Sequence, residues 1–86
     1  MSVDRIEKGM LAKSKAGHDK ERIYVIYETD ETYVYLVDGK IRTLDHPKRK
    51  KKKHVQVICE RYEISGIDDV GIKRILKLFD KEMRRI

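Results

Sequence analysis

The chain has a single cysteine, Cys59, so no internal disulfide can form, and no Cys/His cluster carries zinc-ligand spacing. This scarcity suits a reducing compartment, and a cytoplasmic location is the expectation. Apolar stretches run for only a few residues, far short of the roughly 20 that a membrane span needs. The first residues, Met1-Ser2-Val3-Asp4-Arg5, lack the apolar core of a signal peptide. Catalytic signatures are missing too. No Ser-His-Asp arrangement, phosphate-binding glycine loop or dinucleotide fingerprint occurs, and His18, His46 and His54 sit at no ligand spacing with a carboxylate partner. Cys59 has no electropositive surroundings that would favour a thiolate and reads as a small strand residue near the core. A chain of 86 residues buries only about 60 to 70% of its unfolded surface, leaving little room for a walled active site. The expectation is one domain that is not an enzyme and needs no cofactor or metal.

What the chain has in abundance is charge, at 42% of residues. Lys and Arg number 21 against 15 acids, a formal balance of +6. Residues 48–53, Lys-Arg-Lys-Lys-Lys-Lys, hold that whole excess, because the rest of the chain carries 15 residues of each sign. Clustered cations release counterions from a phosphate backbone whatever its base sequence, so this run favours nucleic acid as partner. A solvated loop and a localisation-like patch are the competing readings.

The pattern along the chain is mostly that of short strands. Glu7 to Ser14 reads as a first strand, and Lys15 to Glu21 as a polar loop with Gly17 at its tight point. Arg22 to Thr29, rich in β-branched and aromatic residues, predicts a second strand. Thr32 to Val37 predicts a third, with Tyr33 and Tyr35 on one face and Val34 and Leu36 on the other. Asp38-Gly39 is a hairpin signal, so a fourth strand, Lys40 to Leu44, is expected to pair back across it. After the basic run, in a loop over 45–54, strand alternation resumes from His54 to Cys59. Five strands without intervening helices predict a mainly β fold, a five-stranded SH3-like antiparallel barrel over residues 1–60. The tail, 61–86, changes period. Ile72, Ile75, Leu76, Phe79, Met83 and Ile86 recur at helical spacing, predicting an amphipathic helix from Asp68 to Ile86 packed on the barrel. Ser65 and Asp68 fit a capping box, and Arg84-Arg85 suit the negative end of the helix dipole. Lys73, Lys77, Lys81 and Arg84 gather opposite the apolar arc; they could lie on RNA or on an anionic membrane, but the solvated side of a docked helix is the leading reading.

The stretch Lys8-Gly9-Met10-Leu11-Ala12-Lys13-Ser14-Lys15-Ala16-Gly17-His18-Asp19-Lys20, followed by Tyr33-Val34-Tyr35-Leu36-Val37-Asp38-Gly39, resembles the KOW motif. With Pro47-Lys48 leading into Lys50 to His54, it is similar to small bacterial KOW-domain RNA-binding proteins, relatives of SH3-like archaeal and eukaryotic large-subunit ribosomal proteins. The resemblance spans most of residues 6–58 and implies a non-catalytic binder of structured RNA, ribosomal RNA above all, with ribosomal proteins as neighbours. It assigns the contacts to Lys15, Gly17, His18 and Lys20 in the first loop. Lys48, Arg49, Lys50, Lys51, Lys52, Lys53 and His54 supply the second set. Two positions depart from the family pattern: His18 replaces its Arg, and Glu21 its second Gly. An imidazole grips phosphate less firmly than a guanidinium at neutral pH. Glu21 adds a negative charge beside the loop.

Tyr24, Tyr33 and Tyr35 could stack on unpaired bases, but half-buried packing is the leading reading for aromatics on a small barrel. The alternative function is a KOW-type protein-interaction adaptor linked to transcription elongation, in the manner of factors of the NusG type. Duplex DNA binding is disfavoured because no helix-turn-helix pattern occurs. A monomer is expected.

Overall fold

The computed structural model describes residues 6–18 and 20–83. Five strands, β1 (Met10–Ser14), β2 (Ile23–Thr29), β3 (Tyr33–Val37), β4 (Lys48–Lys51) and β5 (Val55–Arg61), form one antiparallel sheet in the order β4-β3-β2-β1-β5. A 3-10 turn, Lys52–His54, separates β4 from β5, and one helix, α1 (Asp69–Met83), follows. The sheet curls into a half-barrel of the SH3-like kind, so the mainly β expectation holds.

Period-two alternation assigns each strand residue to one of two faces. Across β1, β2 and β3, Leu11 lies opposite Val25, which lies opposite Val37. These three share a buried cluster with Ile72, Ile75 and Phe79 of α1. Their sequence neighbours point the other way. Ala12 opposite Tyr24, and Ile26 opposite Leu36, line the concave interior with Val34 and Val55. Register breaks between Met10 and Ala12 and between Ile26 and Glu28 mark bulges, which bend strands and bring a flat sheet round on itself. Tyr24 is buried inside the curl and is a packing residue, whereas Tyr33 and Tyr35 remain half-buried.

Several expectations need correction. Residues 40–44 are not a strand. The Asp38 carboxylate accepts the backbone N–H groups of Lys40 and Arg42, both at 2.9 Å, which folds the chain into a local loop instead of a two-residue hairpin. The fourth strand lies in the basic run itself, where the sequence predicts a loop. β1 begins at Met10 rather than Glu7, and β5 runs from Val55 beyond Cys59 to Arg61. The helix is capped by Asp68, whose carboxylate accepts the Gly71 N–H at 2.9 Å, so the Ser65 capping box does not form. Arg84, Arg85 and Ile86 lie outside the described residues, as does Asp19 of the first loop.

The 38–45 loop ties the sheet to the helix start. Leu44 N–H donates to the Asp69 carboxylate at 2.8 Å. Gly39, at φ +79°, presses against the first helical turn, where a β-carbon would stand 2.5 Å from the Asp69 carbonyl oxygen. Burying the Ile72, Ile75 and Phe79 side chains contributes about 1.5 to 3 kcal/mol each, which holds the helix down.

Candidate nucleic-acid interface

Lys and Arg have little intrinsic preference for strands, so β4 owes its form to β3. Leu36 pairs with Lys48, Val34 with Lys50, Tyr35 with Arg49 and Tyr33 with Lys51. Residues opposite each other share a face, which sorts the charges. Lys48 and Lys50, half-buried, lay their stems beside the apolar interior residues Leu36 and Val34. Arg49 and Lys51 are exposed on the outer face. There the Arg49 guanidinium sits 4.5 Å from the centre of the Tyr33 ring, a cation–π contact of about 0.5 to 1 kcal/mol at an exposed site.

The outer face is braced by an acid. Asp30, in the β2–β3 turn, accepts the Tyr33 N–H at 2.7 Å, the Tyr35 hydroxyl at 2.8 Å and the Thr32 N–H at 2.9 Å. These bonds, led by that from Tyr33, hold its carboxyl below the usual carboxylate range. The same bond to Asp30 pushes the Tyr35 phenol above its ordinary value. Lys52 N–H closes the end of β4 onto the Thr32 carbonyl at 2.9 Å.

The loop after β1 reaches the basic segment at three places. Lys15 N–H donates to the His54 carbonyl at 2.8 Å, and the Lys50 ammonium donates to the Ala16 carbonyl at 3.0 Å. His18 and Lys48 line one shallow cavity of about 310 Å³ together with Arg22, Tyr24, Ile41 and Arg42. Gly17, at φ +86°, permits the turn that the Lys20 N–H closes onto the Gly17 carbonyl. Lys15, Gly17, His18 and Lys20 are exposed, as are Arg49, Lys51 and Lys53; Lys48, Lys50, Lys52 and His54 are half-buried. All eleven expected positions therefore belong to two segments in direct contact. Lys50 has a structural share in this, as the tether between them.

Arg22 and Arg42 join the cavity, although neither stands out as a site residue in the sequence. The signal for Arg42 lies in Asp38-Gly39-Lys40-Ile41-Arg42, where an acid two and four residues before backbone donors turns the chain back. Glu21, the expected interloper, pairs with Lys13 at 3.4 Å rather than with the loop cations. It is also the one non-glycine at positive φ among the described residues, at +75°.

Among the described residues no group of three or more His, Cys, Asp or Glu converges to hold a metal ion, and no helix is long and apolar enough to cross a membrane. Neither a scan against protein-family models nor a search of curated proteins finds a match to this chain.

Proposed function

We propose that the protein is a non-catalytic RNA-binding module that grips the backbone of folded RNA, ribosomal RNA first among candidates, in the cytoplasm. The first loop and the β4 segment form the grip, as in the KOW proteins that the sequence resembles. The observation that carries the reading is the junction of the two segments: bonds from Lys15 to His54 and from Lys50 to Ala16 bring the cation-bearing first loop and the basic run into direct contact. A cationic surface of fixed shape suits RNA, which is read largely by shape and phosphate contacts.

The test is a titration of a labelled ribosomal RNA fragment over a range of salt concentrations. The exposed cations Arg49, Lys51 and Lys53 are changed to Gln, while Lys50 is kept for its tether. For each phosphate that the variant no longer neutralises, the slope of log affinity against log salt should flatten by about 0.7 to 0.9. In lysate the native protein should sediment with large ribosomal subunits and the variant should wash off. A variant with the native slope would refute the reading.

A further inference from the structure

Beside the first surface, the helix and the 38–42 loop enclose an open groove of about 700 Å³. Its rim carries Arg22, Lys40, Lys73, Arg74 and Lys77 against one acid, Asp38, whose carboxylate is already engaged by two backbone N–H groups. The ion pairs Lys8–Glu28, Lys13–Glu21 and Arg61–Glu7 involve none of the five rim cations. Its floor includes Ile41, Val70 and Leu76; Ile41 is 66% exposed and Val70 56%. Large apolar side chains left open inside a charged rim mark a binding surface more than a solvated helix face.

Two observations point to what fills it. Arg22 and Ile41 line both this groove and the smaller cavity that holds His18, Arg42 and Lys48, so the two surfaces are continuous. Five cations to one engaged acid complement a polyanion. A duplex presents phosphates but keeps its base faces stacked, and would leave the apolar floor uncovered. An unpaired strand presents both: phosphates to the rim, and base faces to the aliphatic floor and the planar Arg22 and Arg74 guanidiniums.

We propose that this groove seats a single-stranded segment of the same RNA, flanking the folded part held by β4 and the first loop. The inference rests on the RNA-binding reading and adds a second element to it. The helix face of Lys73, Arg74 and Lys77 is thereby a ligand-contacting surface. Because the floor is aliphatic and offers stacking to any base, the seat discriminates unpaired from paired RNA and is tolerant of base sequence.

Two probes test it: one RNA hairpin, and the same hairpin with a short single-stranded uridine tail. The native protein should bind the tailed RNA about tenfold more tightly, with a salt slope steeper by about 0.7 for each tail phosphate engaged. A triple variant, Lys73→Gln, Arg74→Gln and Lys77→Gln, should lose that gain while binding the bare hairpin normally. So should Ile41→Ser with Val70→Ser, whose exposed positions spare the core. The Arg49, Lys51 and Lys53 variant should weaken binding of both probes.

If the tail adds nothing, or if both groove variants keep its gain, the proposal is overturned; an acidic peptide then becomes the class of occupant that the rim would fit. If the hairpin itself is not bound, or the β4 variant binds it as the native protein does, the RNA-binding reading has failed instead.

Discussion

The ammonium of Lys50, on β4, donates a 3.0 Å hydrogen bond to the backbone carbonyl of Ala16, in the loop after β1, joining segments 34 residues apart. A cation in a strongly basic run is thus used to build the surface as well as to charge it. Replacing Lys50 with Met keeps the stem and removes the tether, and stability should fall by about 1 kcal/mol. Lys51→Met, exposed on the other face, should stay within about 0.5 kcal/mol. Urea unfolding of the two variants beside the native protein checks the difference.

Glu21 occupies a left-handed conformation that costs a side chain about 1 kcal/mol and costs glycine almost nothing. Glu21→Gly should therefore stabilise the fold by about 0.5 kcal/mol, net of the exposed Lys13 pair and of chain entropy. Glu21→Ala gives up the pair and keeps the strain, so it should unfold at or below the native temperature. If the alanine variant gains as much as the glycine one, backbone strain is not the cause.

Gly39 and Gly66 both have positive φ, but their surroundings differ. A β-carbon at Gly39 would run into the Asp69 carbonyl and the Lys73 stem, while one at Gly66 would meet nothing within 4 Å. Gly66→Ala should cost about 1 kcal/mol from the backbone alone. Gly39→Ala adds a clash that must displace the helix, and should cost about 2 to 4 kcal/mol. Denaturant midpoints measure both, and equal destabilisation would show that the loop yields without moving α1.

The bonds to Asp30, led by the Tyr33 N–H and joined by the Tyr35 hydroxyl, make stability depend on pH at both extremes. Asp30 titrates lower in the folded chain, so its contribution is present above the ordinary carboxylate value of 3.8 and is lost as pH falls through the lowered one. Tyr35 titrates higher when folded; its contribution is present below the ordinary 10.0 and is lost as pH rises through the raised value. Thermal unfolding of native protein and Tyr35→Phe should differ by a constant amount across neutral pH. The two curves should converge in acid and in strong base.

Strands β2 and β3 were legible because β-branched and aromatic residues alternate, and α1 because Ile72, Ile75 and Phe79 recur at helical spacing. β4 was not. Four consecutive cations carry no strand signal of their own, and only pairing with Tyr33 to Leu36 makes them extended. Asp38-Gly39 misled because the Asp38 side chain competes for the N–H groups that a hairpin would have used. Asp68 displaced Ser65 as the cap for a similar local reason. Both halves of the candidate site were visible as charge and as motif, but their junction depends on bonds across the sheet that no local pattern encodes.

β4 lies at the edge of the sheet, with a strand partner on one side only. Sheet edges invite pairing with a second copy, and here that pairing would set two rows of Lys-Arg-Lys-Lys side by side. Mutual repulsion of the two rows would oppose that pairing, and a bound polyanion would quench the repulsion. On the proposed RNA-binding reading, resistance to aggregation and affinity for ligand would reside in one set of atoms, and a substitution that neutralises the edge would weaken both at once.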